Sequence, residues 1–208
     1  MSKSVTAKQL LKFYKTKKYQ SLRNANKYNI LEDLEEFYTE IKLDFDLLNE
    51  MPTKFLISMI EDYVLIKTKD ENFGDTFNYD SLEILFKAVY LLDDLFFTMR
   101  IGGMQMFYNT KFCYFLEDTE KFLDMVGEPE FLQVFKKINQ ISGFNKLSKD
   151  KISERLSDNK AAKEIKRLSI DKQDKIFELE KELLKLSYKA RNRLLKYVKI
   201  KVIINAGG

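Results

Sequence analysis

Apolar residues recur every three or four positions along nearly the whole chain, which is the period of an α-helix rather than of a strand. Leu10, Leu11, Phe13 and Tyr14 mark the inner side of a first basic helix, capped by Thr6 and running to about Gln20. After the polar stretch SLRNANKYN, Leu31, Leu34, Tyr38, Ile41, Phe45 and Leu48 share one face of a predicted second helix. Asn29 and Glu32 have capping-box spacing at its start. Pro52 suits the first turn of a third helix, with Phe55, Leu56, Met59, Ile60 and Tyr63 inward. KTKDENFGDTFNY reads as a loop.

Asp80 and Glu83 repeat the capping-box pattern before the most apolar stretch, with Leu82, Leu85, Phe86, Val89, Leu92, Leu95 and Phe96. The predicted helix stops between Arg100 and Gly103, where paired glycines weaken helix formation, and MQMFYN follows as a short helical piece. DTEKFLDMV is predicted to end at Gly127, and EPEFLQVFKKINQIS to open at Pro129 and end at Gly143. Ser148 caps a predicted short helix to about Leu156, and another covers Lys160 to Leu168. From Asp171 to about Tyr197, the series Ile176, Leu179, Leu183, Leu186, Ala190, Leu194 and Tyr197 reads either as the core face of a long bundle helix or as a dimerising coiled-coil seam. VKIKVIINAGG alternates weakly and reads as a short strand or an unstructured end. The expected fold class is all-α: a bundle of about eight to ten helices with a long C-terminal helix, few turns and few helix breakers.

The 208 residues suffice for one large domain or two small ones, and 45% hydrophobic composition excludes a disordered chain. Net charge is only +4, but it is segregated. Residues 1–27 form a basic N-terminal arm with eight Lys/Arg and no acid. Residues 28–144 form an acidic helical core with ten Lys/Arg against 23 Asp/Glu. Residues 145–208 supply basic C-terminal helices, 18 Lys/Arg against nine acids, expected to pack on that core. Either the basic ends screen the acidic middle, or one charged face is left for a partner. Of the 36 cationic residues 30 are lysine, a composition of solvated surfaces more than of bidentate phosphate or base reading.

The absence of histidine and the presence of a single cysteine remove His-dependent nucleophile triads, His-ligated metal sites, zinc clusters and intrachain disulfides. Cys113, between Phe112 and Tyr114, reads as a small buried hydrophobe. The acids Glu32, Asp33, Glu35, Glu36, Glu61 and Asp62 read as solvated helix faces; Asp93 and Asp94 interrupt the most apolar helix and are expected to cap or to pair with Arg100. Counted from Asp70, glycine and glutamate miss the EF-hand positions, and no P-loop, dinucleotide fingerprint or nucleophile elbow is present. No cofactor and no enzymatic activity are expected. With no secretory leader or membrane-length apolar run, a soluble cytoplasmic protein is expected.

The segment Arg100 to Asn109 stands out: a cation, two glycines, Gln105, aromatic residues and an asparagine after a very apolar helix. Gly102, Gly103, Gln105, Phe107 and Asn109 resemble the hallmark turn of the bacterial DNA-mimic-protein family. KFLDMVGEPEFLQVFKKI, with Gly127, resembles that family's helix, corner and following helix, and the likeness spans about residues 78–200. Phe97 to Ile101 stand where the family carries Glu and Asn before the glycines. The resemblance implies an all-α fold and a protein-binding role; one characterised member of that family imitates DNA with an acidic surface and so occupies a DNA-binding regulator.

On this reading the protein is a regulator or an immunity-type neutraliser. It binds an as yet unknown protein through the acidic middle, or through a groove at Arg100, Gly102, Gly103, Gln105, Phe107 and Asn109. The alternatives are nucleic-acid binding through the basic N- and C-terminal segments and dimerisation through the C-terminal helix.

Overall fold

A computed structural model describes residues 7–16, 19, 43–68, 79, 82–146 and 165–206. The elements expected over 29–42, 69–78, 148–156 and 160–164 lie outside these residues, as does the Thr6 cap. Most of the described residues are helical, with no strand among them. The helices are α1 (Ala7–Tyr14), α2 (Phe45–Asn49), α3 (Thr53–Thr68), α4 (Ile84–Ile101), α5 (Gly103–Tyr108), α6 (Leu116–Met125), α7 (Pro129–Ser142) and α8 (Ile170–Ala206). Short 3-10 turns lie at Lys111–Phe115 and Phe144–Lys146. No helix among the described residues is long and apolar enough to cross a membrane. The chain divides into two compact units, residues 1–90 with 195–208, and residues 91–194.

In the first unit, Leu43 and Asp44 interrupt the helix that the 30–50 periodicity predicts. Asp44 takes an extended conformation, and its side chain accepts the Leu47 N–H at 3.0 Å, so α2 begins at Phe45 with its own cap. Pro52 stands one residue ahead of α3, its carbonyl accepting the Phe55 N–H. Leu56, Ile57, Met59, Ile60, Val64 and Leu65 are buried over a wide arc of α3, so this is an interior helix rather than an amphipathic one. Glu61 and Asp62 are buried with them, a correction to their expected place on a solvated face. Asp62 Oδ2 accepts the hydroxyls of Tyr14 at 2.9 Å and Tyr19 at 3.0 Å. Those donors offset the desolvation that would otherwise exclude a carboxylate. The two phenol rings pack 4.5 Å apart, and their shared bond to Asp62 anchors α1 to α3.

The second unit contains the end of α4, α5 to α7 and α8 up to Leu194. Phe96 meets Phe131 edge-on at 5.2 Å, and Phe107 meets Phe135 at 5.6 Å, so the core joins α4 and α5 to α7. The α6–α7 corner follows its sequence. Gly127 at φ +77° ends α6 with Gly127 N–H to Asp124 O and Glu128 N–H to Leu123 O, the paired bonds of a Schellman motif. Pro129 opens α7, and Gly143 at φ +79° closes it. Tyr108 donates to Asn139 Oδ1 at 2.6 Å and stacks on Phe144 at 3.7 Å. Cys113 is buried as expected, and burial pushes its thiol up to about 12, which leaves it an inert thiol at neutral pH.

α8 runs 37 residues, about 55 Å. Ile176, Leu183, Ser187, Ala190, Leu194, Val198 and Val202 are its buried positions. The buried series passes through Val198 rather than Tyr197 and continues into VKIKVIINA, which is helix to Ala206 and neither strand nor loose end.

Candidate functional site

The turn between α4 and α5 is built by two glycines that do different work. Gly102 donates its N–H to Thr98 O at 3.0 Å, completing the last turn of α4. A Cβ there would lie 2.8 Å from Met106 Cβ, closer than side chains approach. Gly103 has φ +65°, the left-handed region that favours glycine. A Cβ on Gly103 would stand 2.9 Å from Glu180 Oε1. The missing side chains therefore let α5 start sharply and let α8 bring a carboxylate against its first turn.

That carboxylate is the cap of α5. Gly102 has no side chain to offer, so the first N–H groups of α5 need an acceptor from elsewhere. Glu180 Oε1 accepts the Met104 N–H at 2.7 Å, and the Gln105 N–H also faces the carboxylate. Burial pushes the Glu180 carboxyl above the ordinary carboxylate range, and the two N–H donors offset this only in part. A carboxyl raised in the folded state contributes stability that is full below its unfolded pKa and is lost as pH rises through the folded value. Glu180→Gln keeps the accepting oxygen and removes the charge. The variant is expected to melt at or above the wild-type temperature at pH 7, with the difference shrinking toward pH 4. Glu180→Ala removes the acceptor and is expected to cost about 1–2 kcal/mol at both pH values. Thermal melts of both variants across that range check this; a Glu180→Gln protein less stable than wild type at pH 7 would contradict it.

The six residues singled out in the sequence do not converge on one groove. Arg100 is half-buried: Nε donates to Phe96 O at 3.1 Å, and its guanidinium carbon lies 6.0 Å from the Phe97 ring centre and 5.9 Å from that of Tyr188. Gly102 is exposed, Gly103 lies against Glu180, and Gln105 is half-buried. Phe107 is fully buried against Phe135, so it belongs to the core and not to a partner-contacting surface. Asn109 closes α5 through its backbone, donating to Met106 O, while its buried Oδ1 has no hydrogen-bond partner among the described residues.

The carboxylates also differ from expectation. Asp93 and Asp94 are buried, and Asp93 pairs with Arg191 at 2.6 Å rather than with Arg100. Glu128, nearly inaccessible at the α6–α7 corner, meets Arg193 at 3.2 Å. Burial raises the Glu128 carboxyl, and Arg193 pulls it back only in part. Glu180, Arg191 and Arg193 were the residues that periodicity did not single out. Their sequence signal was weak but present: two of the few arginines stand one residue apart in a lysine-rich helix, and Glu180 falls between the buried Ile176 and Leu183. Arginine is the cation suited to buried, forked pairing.

The outer side of α6 is open to solvent. Glu117 and Asp124 are exposed and Asp118 and Glu120 half-exposed, with Glu130 exposed in the first turn of α7. Among the described residues, the one ion pair in this group is Glu120 to Lys136 at 3.6 Å.

Neither the curated proteins nor the solved structures include a significant match to this chain. A family model, described as DMP19-like protein, matches residues 80–200, which takes in α4 to most of α8, the Gly102–Gly103 turn and the Gly127 corner. Matched over more than half its length, the chain belongs to the DMP19-like protein family.

Proposed function

We propose that the protein is a non-enzymatic binder of another protein and that its outward carboxylates on α6 occupy a basic, DNA-contacting surface. One observation carries this reading: Glu117, Glu120 and Asp124 follow at three- and four-residue spacing along one side of α6, with the neighbouring acids Asp118 and Glu130 also open to solvent. Over the eight residues from Glu117 to Asp124 this lines three charges about 5 Å apart along the axis, a linear anionic array somewhat sparser than the roughly 3.4 Å repeat of one DNA strand. Membership in the DMP19-like family supports the same reading. Among the described residues, Asp62, Asp93 and Glu128 are engaged internally rather than presented to a partner. The docking face is therefore smaller than the net charge of residues 28–144 suggests.

The test is affinity isolation from the native host with wild type and with E117K/E120K/D124K, followed by challenge with duplex DNA. The expected result is a basic protein retained by wild type, released between about 50 and 200 mM salt, displaced by DNA, and bound at least about tenfold more weakly by the triple variant. The same proteins captured by both forms, or none displaced by DNA, would overturn the reading. A mobility shift of labelled duplex by the protein alone at about 50 mM salt would favour direct nucleic-acid binding through the basic segments instead.

A further inference from the structure

We propose that a second surface, where the end of α4 meets the middle of α8, docks an acidic amphipathic helix of a partner protein. Phe97 and Ile101 stand one turn apart on α4, and Leu184 and Tyr188 one turn apart on α8. Phe97 is 49% exposed, Ile101 53% and Tyr188 59%, so large apolar side chains face water where both helices also have well-buried sides. Arg100 ties the pairs together, its guanidinium within about 6 Å of both the Phe97 and Tyr188 rings. Two helices carrying apolar residues at i, i+4 form the kind of surface that receives a helix.

The charge on this surface selects the occupant. Arg100 commits Nε to the Phe96 carbonyl, and its terminal amino groups meet no carboxylate among the described residues. Lys185 and Lys189, which flank Tyr188, are exposed and form no ion pair among the described residues. A guanidinium held between two aromatic rings is pre-positioned to bind a carboxylate as a fork, at low cost in side-chain entropy. A second copy of this chain in a two-fold arrangement would bring this cationic patch against its own image. An anionic bilayer would also meet Glu182, exposed less than two turns from Tyr188, and Glu178, exposed about one turn beyond it. A partner helix with carboxylates flanking an apolar stripe satisfies the rings and the cations together.

The experiment uses the full chain and two synthetic helical peptides with the same leucine spacing, one flanked by glutamate and one by lysine. The acidic peptide is expected to shift the NMR signals of Ile101, Leu184 and Tyr188, and the lysine peptide to leave them in place. Arg100→Glu is expected to weaken the acidic peptide about tenfold, as is F97A/Y188A, with helicity by circular dichroism unchanged. Four outcomes would overturn the proposal: equal binding of the two peptides, shifts confined to other residues, no binding of either, or Arg100→Glu binding like wild type. Sedimentation showing self-association abolished by F97A/Y188A would assign the surface to a second copy instead. Binding to phosphatidylcholine–phosphatidylserine vesicles lost in the same variants would assign it to a membrane.

Discussion

Replacing Phe107 with alanine is expected to destabilise the protein by about 3–5 kcal/mol. The ring is fully buried, meets Phe135 edge-on at 5.6 Å and stands next to Tyr108, whose hydroxyl is committed to Asn139. Truncation removes the transfer energy of the ring and leaves a cavity that α5, pinned at its start by Glu180, cannot close by sliding. For a chain of this size the loss corresponds to a melting temperature lower by about 6–20 °C. Denaturant titration of Phe107→Ala checks the value. A variant that kept wild-type stability while losing a binding partner would return Phe107 to the surface role that the sequence suggests. Phe107→Leu, which keeps most of the volume, is expected to lose less than half as much.

The second large effect is expected at Arg191. Asp93 lies within the most buried helix of the second unit, and Arg191 donates Nε to its Oδ1 at 2.6 Å, with a longer contact from the terminal amino group at 3.4 Å. Arg191→Ala would strand a carboxylate whose side chain is only 8% exposed. Breaking a fully buried pair costs about 3–5 kcal/mol, and because Arg191 itself is partly solvated the expectation here is about 2–3 kcal/mol. Replacing both partners with apolar residues, as in D93L/R191M, is expected to recover most of that loss, because the cost comes from the uncompensated charge more than from the absent attraction. A double-mutant cycle measured by urea unfolding provides the check. Equal losses in Arg191→Ala and in the apolar double variant would show that packing by the arginine stem, not charge pairing, holds α8 at this point.

These two expectations also show why the candidate site was only partly legible. Gly102, Gly103, Gln105, Phe107 and Asn109 are adjacent in sequence and read as one unit. A short helix has two sides, however, and within α5 Phe107 turns inward while Gln105 stays half-buried and Met106 is exposed. Which side is inside depends on α7, which supplies Phe135, and no local pattern reports that. Glu61 and Asp62 depart from their sequence reading for a related reason. Adjacent acids such as Glu61 and Asp62 read as polar surface because burying a charge is costly. At Asp62 the cost is met by phenols more than 40 residues away, at Asp93 by a guanidinium 98 residues away.

The elements themselves were far more legible. Gly127, Pro129 and Gly143 place the ends of α6 and α7 where the structure has them, because helix termination is a matter of local dihedral angles. The tail was the exception: its Val and Ile residues have strand propensity, but Val198 and Val202 extend the four-residue series of buried positions from Ala190 and Leu194, and burial outweighs propensity.

For this protein, the amino-acid order alone determined the helical class, most helix ends in the family-matched region, and the glycine turn, all of which depend on interactions within a few residues. Tertiary structure decided which acids are buried, which arginines neutralise them, and that Glu180 rather than a neighbouring side chain caps α5. The reason is physical: a charge or an unpaired N–H can be buried only if a partner reaches it, and here those partners come from helices dozens of residues away.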